Sequence, residues 1–247
     1  MRRRSRIVNG KTAPRPIPWQ ASLWYPAKGK FPHGCGGSIL DKYTILTAKH
    51  CIHTNEMQES EFDKIFVMVG STKVQAGQNI LVDRVILYDN DLNDKPWDVA
   101  ILKLSSPITF NRDVQPICLP ESEQDSQFLK RGLECFVSGW GSLQHYDPEL
   151  GPMPTDLQWT KVRLTDPETC HSHLNKKEDL ICVGSLNFTG PCIGDSGGPL
   201  TCMKGSDPIL VGIANSGSNR KCGHRNSYTY YASTVFHNNW IRRYMVC

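Results

Sequence analysis

Ser196 lies in Gly194-Asp195-Ser196-Gly197-Gly198-Pro199, directly before the apolar run Leu200-Thr201-Cys202. Small residues around a hydroxyl let the backbone turn sharply. They also leave two N–H groups free to face a carbonyl oxygen, as a serine attacking an acyl carbon requires. The same residues suit a plain structural turn, so the rest of the chain must decide. A serine nucleophile needs a base to take its proton and a carboxylate to orient that base. Among the eight histidines, His50 stands out because Leu46-Thr47-Ala48 runs into it as a strand end and Cys51 follows it. A disulfide from Cys51, with Cys35 as the near candidate partner, would pin the imidazole. His171 and His173 lie in a charged stretch and read as surface. Asp98, in Trp97-Asp98-Val99-Ala100-Ile101-Leu102, is a carboxylate entering an apolar strand, which is costly unless hydrogen-bonded or paired. Asp89, Asp91 and Asp94 lie in a polar loop and need no special reason.

These candidates must be held by surrounding elements, and the strand signals dominate. Runs rich in Val, Ile, Leu and aromatics cover 19–25, 37–40, 43–47, 65–69, 80–88 and 99–104. A second series covers 134–138, 157–164, 180–183, 199–203, 209–214 and 228–232. Residues 105–130 read as a long connection. Two similar groups of strands predict two antiparallel barrels. Only the C-terminus reads as helix: Phe236, Trp240 and Tyr244 recur every four residues, with Thr234 as a candidate N-cap.

The bulk composition is globular, with 39% hydrophobic and 21% charged residues and no low-complexity tract. No run of 18 apolar residues exists, so no membrane partner is expected; no basic-aromatic face suggests nucleic acid. The ten cysteines are dispersed rather than paired at metal-ligand spacing, which argues against zinc and for disulfides in a secreted or lumenal protein. No apolar leader follows Met1, so the chain reads as a fragment whose leader is missing. Asn187-Phe188-Thr189 is a glycosylation sequon, with Asn187 as the acceptor. No motif requires a metal or cofactor.

Taken together, Ile7-Val8-Asn9-Gly10, Thr47-Ala48-Lys49-His50-Cys51, Asp98-Val99-Ala100-Ile101-Leu102 and Gly194-Asp195-Ser196-Gly197-Gly198-Pro199 occur in the order and spacing of the chymotrypsin-like serine proteases. Val137-Ser138-Gly139-Trp140-Gly141 is a further match. The resemblance covers residues 7–247. It implies an all-β fold of two six-stranded antiparallel β-barrels, about 20–110 and about 131–233, followed by a helix at 234–246. It also implies that Ser196 is the nucleophile, His50 the base and then acid, and Asp98 its orienting carboxylate. Gly194 and Ser196 would supply the oxyanion donors; the general principle for these roles was itself worked out on this family. Protein or peptide would be the substrate, protease inhibitors natural partners, and the protein a monomer released outside the cell or into secretory granules.

By the same resemblance, residues 1–6 form an activation segment. A protease cutting after Arg6 would free the Ile7 amine to pair with Asp195; the other reading is a basic tail or tag remnant. The family pairing implies Cys35–Cys51, Cys135–Cys202, Cys170–Cys182 and Cys192–Cys222. Cys118 and Cys247 remain, either for each other or with Cys118 lacking a lost propeptide partner.

The specificity positions depart from tryptic members. Gly190 stands six residues before Ser196, where those members carry an aspartate. Gly217 would leave one pocket wall open and Thr229 would make the pocket shallower, so uncharged P1 side chains of small to medium size are expected. Lys49 directly precedes the histidine, where it could reach solvent or disfavour protonation of His50. Asn215 and Ser216 replace the usual Ser-Trp of the substrate-binding strand; Asn215 could still donate to Asp98. These departures keep a second class open, a weak or silent homologue acting as a binding or antimicrobial protein.

Overall fold

The computed structural model describes residues 7, 10–25, 33–52, 64–88, 97–121, 127–143, 153–166, 179–186, 189–217, 222–224 and 227–246. Every predicted strand is present, with ends moved by a few residues, and one strand was missed: β1 (Lys11–Thr12), two exposed residues that pair with Gln158 and Trp159. Its shortness and polarity explain why no periodicity announced it.

The first barrel closes in the order β2-β3-β4-β7-β6-β5. Its strands are β2 (Gln20–Trp24), β3 (His33–Asp41), β4 (Thr44–Thr47), β5 (Phe66–Val69), β6 (Gln78–Leu87) and β7 (Ala100–Leu104). Leu23, Ile39, Ile45, Leu46, Val67, Ile101 and Leu102 fill it and are sealed from solvent. The second is built from β8 (Glu134–Gly139), β9 (Gln158–Leu164), β10 (Leu180–Gly184), β11 (Pro199–Lys204), β12 (Asp207–Gly217) and β13 (Tyr228–Ser233). It runs β8-β9-β10-β13-β12-β11 and closes through β8–β9 and β11–β8 pairing. Strand β9 alternates buried and outward residues, as expected of a strand with one face on the core.

Two features hold the barrels together. One is a set of polar contacts: Ser138 Oγ donates to Gln20 Oε1 at 2.6 Å and Trp19 Nε1 to Thr201 Oγ1 at 3.2 Å. The other is helix α1 (Asn238–Arg243), which follows the second barrel but docks on the first. Lys103 Nζ on β7 donates to the Tyr244 carbonyl, and Asp41 Oδ2 accepts from the Val246 N–H at 2.8 Å. The helix is shorter than the periodicity predicts, and Thr234 is not its N-cap. The Thr234 hydroxyl donates instead to the Leu210 carbonyl at 2.5 Å, and His237 occupies the cap position.

The disulfides Cys35–Cys51, Cys135–Cys202 and Cys192–Cys222 are present. Cys182 is disulfide-bonded; its predicted partner Cys170 lies outside the described residues, as do Arg6, Asn187 and Cys247. Cys118 is an exposed free thiol.

The barrels meet closest at Gly36 of β3, where an added Cβ would lie 2.9 Å from Gly198 Cα and 3.1 Å from its nitrogen. Backbone cannot yield as a side chain can. Gly36→Ala is therefore expected to cost about 1–3 kcal/mol, to lower the melting temperature by at least about 2 °C, and to slow the reaction of Ser196 with a serine-directed phosphonate. Unchanged melting and labelling would overturn this.

Candidate active site

Asp98 lies two residues before β7, in Trp97-Asp98-Val99, and His50 sits in a 3-10 turn (Lys49–Cys51) that follows β4. Because β4 and β7 pair, Thr47 lies opposite Ala100, which brings these two chain segments side by side. The Asp98 carboxylate grips His50 twice: Oδ1 accepts the backbone N–H at 2.8 Å and Oδ2 faces Nδ1 at 2.7 Å. A carboxylate only accepts, so Nδ1 carries the proton and Nε2 is left with its lone pair outward. The His50 side chain is 44% exposed and Asp98 16%, so the imidazole is open to a reactant while its carboxylate is mostly shielded. The Cys35–Cys51 bridge lies beside it, with Cys51 Sγ 3.9 Å from Nε2. Cys35, Cys51 and His50 are the His/Cys/Asp/Glu group among the described residues close enough to hold a metal, but both sulfurs are spent in the disulfide.

Ser196 is presented from the second barrel. Its carbonyl accepts the Gly36 N–H at 2.7 Å, and the Gly197 N–H donates to Ala214 at 2.7 Å, so backbone from both barrels fixes the loop. Gly194 (φ +95°) and Gly197 (φ +74°) take left-handed conformations that side chains disfavour. At Gly197 an added Cβ would also run into the Thr47 hydroxyl. The N–H groups of Gly194 and Ser196 donate to no acceptor among the described residues, whereas those of Asp195, Gly197 and Gly198 are all used. That leaves two free donors flanking the nucleophile, the arrangement an oxyanion needs. No hydrogen bond joins Ser196 Oγ to His50 Nε2; such contacts often tighten only on substrate binding.

Asp195 points away from the cleft into a sealed cradle. Its carboxylate accepts N–H bonds from Gly141 at 2.8 Å and Cys192 at 2.9 Å, and Gly139 and Gly141 leave the space it fills. Burial pushes its pKa up to about 6 despite the two donors. Ile7, fully buried, lines the same small pocket together with Val137, Ala214 and Tyr231. Its backbone is strained at φ +41°, unusual for a β-branched residue.

The specificity positions lie around the mouth of the second barrel. Gly190 is buried, and a Cβ added there would sit 3.4 Å from Gly223 Cα, so two glycines face each other. Gly217 pairs with Thr229 across β12 and β13. Asn215 sits at a register shift and Ser216 is exposed; Asn215 does not donate to Asp98, whose two bonds both come from His50. Lys49 Nζ reaches the Tyr88 carbonyl at 3.4 Å.

Sequence reasoning missed three residues here. Ile193, 57% exposed, stands beside Gly194, and a Cβ on Gly194 would fall 2.5 Å from Met153 Cε. Neither residue carries a recognisable motif. His33 is fully buried; its Nε2 lies 3.1 Å from the Gly194 carbonyl and its Nδ1 2.7 Å from Ser22 Oγ. The carbonyl can only accept, so Nε2 bears the proton and Nδ1 accepts from Ser22, which in turn accepts from Trp24 Nε1 at 2.8 Å.

Comparison with known proteins settles the class. The family model described as Trypsin matches residues 7–241. The chain belongs to the trypsin family. Among curated relatives, transmembrane protease serine 5 of Homo sapiens is 36% identical over 247 residues, covering 96% of this chain and 51% of that protein. Serine protease 28 of Mus musculus is 34% identical over 228 residues, covering 85% of this chain and 80% of the relative. Testisin of Homo sapiens is 32% identical over 260 residues, covering 98% and 78%. The chain thus spans about half the length of the first of these. The family is one of serine endopeptidases, and the two barrels are its fold.

Burial lowers the His33 pKa from 6.5 to about 4, the Gly194 hydrogen bond opposing this in part. A depressed histidine contributes stability that is present above the unfolded pKa and lost as pH falls through the folded one. His33 therefore removes on the order of 3 kcal/mol between pH 6.5 and 4. His33→Gln, which can still donate to Gly194 and accept from Ser22, is expected to match the parent near pH 7. It should exceed the parent below pH 5 in urea unfolding; parallel pH profiles would refute this.

Proposed function

We propose that the chain is a serine endopeptidase domain in its precursor form, with Ser196, His50 and Asp98 as catalytic residues. The observation that carries this is the Asp98-gripped His50, which leaves Nε2 unprotonated, together with a serine loop that keeps two N–H donors unused. Ser196 Oγ attacks the scissile carbonyl carbon as Nε2 takes its proton, and the oxyanion is received by the Gly194 and Ser196 N–H groups. His50 then gives the proton to the leaving amine, and water repeats the cycle on the acyl-enzyme. Strand β12 continues to Gly217 beyond its last β11 partner at Ile213, leaving one edge of 215–217 to pair with an extended peptide.

The same reading makes Arg6–Ile7 the activation bond. Cleavage would free an amine beside the uncompensated Asp195 carboxylate. It would also abolish the strained φ of Ile7, which exists only while Arg6 is attached; such strain costs about 1–3 kcal/mol. Both effects favour the cut form. The disulfides support an oxidising compartment, and no helix among the described residues is long and apolar enough to cross a membrane. We read the domain as acting outside the cell, as a monomer, open to an activating protease and to serine protease inhibitors.

Labelling with a serine-directed phosphonate before and after cleavage at Arg6 tests the assignment. Modification of Ser196 only in the cut form is expected. Equal labelling of both forms would sink the activation scheme, and no labelling of either would favour a silent binding homologue.

For specificity, the glycine floor at Gly190 and Gly223 offers no charge, so small to medium uncharged P1 residues are preferred. In a peptide panel Arg and Lys should be poor. Gly190→Asp should raise kcat/KM for P1 Arg by about 10-fold or more, since close charge pairs couple by about 1.5–7 kcal/mol. Preferred cleavage after Arg or Lys by the parent would overturn this.

A further inference from the structure

Against Trp97, the residue before Asp98, lies a second imidazole–carboxylate pair. His237 Nε2 is 3.7 Å from Asp179 Oδ2, and the two side chains are 0% and 3% exposed. Asp179 Oδ1, both ring nitrogens of His237 and the Trp97 indole Nε1 are all buried without a hydrogen-bond partner. Groups of this kind are costly to seal from water and are rarely left so without a function. Asp179 directly precedes β10 and His237 caps helix α1, so the pair joins two elements distant in the chain.

Aromatic rings enclose the imidazole. Tyr88 stands edge-on at 4.9 Å between ring centres, Phe236 at 5.0 Å and Trp97 at 5.6 Å, and Trp97 also leans on Phe236 at 5.2 Å. Two of these rings are tied to the segment that carries Asp98. Trp97 is its immediate neighbour, and the Tyr88 N–H donates to the Val99 carbonyl on its other side at 3.0 Å. The backbone of Asp98 is thus flanked on both sides by residues seated on His237. Asp98 has need of such support. Its carboxylate is bonded only by His50 among the described residues, and Asn215 adds nothing.

We propose that His237 and Asp179 are positioning residues for catalysis, an imidazole–carboxylate pair that sets Asp98, and through it His50, by fixing Trp97 and Tyr88. The pair touches no substrate. It acts by holding the Trp97-Asp98-Val99 backbone in the one placement that lets Oδ1 and Oδ2 reach the His50 N–H and Nδ1 together. The inference rests on the reading of Ser196, His50 and Asp98 as the catalytic residues.

The test uses the full chain cleaved at Arg6 and a small ester substrate, which needs little of the peptide-binding surface. His237→Phe keeps a ring in the box but removes the pairing, and Asp179→Asn removes the charge with little change of shape. Each is expected to lower kcat by about 10–100-fold, the cost of a misplacement near 1 Å, with KM within about twofold. The low-field NMR resonance of the His50 Nδ1 proton should move or broaden. Trp97→Phe, which shortens the lever, should do the same to a smaller degree. The parent must label at Ser196; if it does not, the catalytic reading fails first. If the parent labels and any of the three variants with parent-like near-ultraviolet circular dichroism keeps parent kcat and an unshifted resonance, the positioning role is overturned. If His237→Phe does not fold, Asp179→Asn and Trp97→Phe decide by the same two readouts.

Discussion

The contact on which the molecule turns is one between backbones. A Cβ on Gly36 of the first barrel would meet the Gly198 backbone, a Cβ on Gly197 of the second would meet the Gly36 carbonyl, and the Gly36 N–H closes on the Ser196 carbonyl at 2.7 Å. The Thr47 hydroxyl donates to the Gly36 carbonyl at 2.8 Å and so fixes this junction to the strand that leads into His50. The proposed base and nucleophile, His50 and Ser196, come from different barrels, and hydrogen bonds a few residues from each tie the two together. Side-chain packing across the interface, as at Trp19 and Phe136, adds area but sets no such distance. A catalytic geometry built on main chain resists the rotamer freedom that would loosen one built on side chains alone.

Asp195 is the second constraint. Its carboxylate is sealed next to Ser196 with two N–H donors and, among the described residues, no paired cation, and it shares its pocket with the buried Ile7. Sealing raises its pKa toward neutrality, so the groups next to the nucleophile are coupled to whatever charge arrives there. The His33–Ser22–Trp24 chain holds the neighbouring Gly194 carbonyl from the first barrel. The two donors of the proposed oxyanion site are therefore steadied from one side and left sensitive from the other.

Much of this was legible in the chain. Twelve strands announced themselves because each buries apolar residues between turn signals, and Ser196, His50 and Asp98 stood out by the unusual company of their flanks. What was illegible had no local signature. The strand at Lys11–Thr12 is too short and polar to show a period, and His33 resembles any other histidine until the hairpin of β2 and β3 buries it against Gly194. His237 and Asp179, 58 residues apart in number, meet only because β10 and the start of helix α1 converge. Helix α1 was over-extended by its own pattern: the aromatic spacing runs from Phe236 to Tyr244, but the helix covers only Asn238–Arg243, with Phe236 leaning on Trp97 and Tyr244 on Trp240. Asn215 had the chemistry to donate to Asp98, but among the described residues both bonds of that carboxylate come from His50, and Asn215 sits at a register shift of β12 that its sequence does not announce.

Helix α1 has a bearing on the order in which the molecule is made. Its carbonyl end is held by Lys103 and Thr44 of the first barrel, and Val246, beyond the helix, is bonded to Asp41. A ribosome delivers the first barrel well before this strap. Until the strap arrives, the face of the first barrel that receives it lacks these hydrogen bonds, so the two barrels gain this tie only after both have been synthesised.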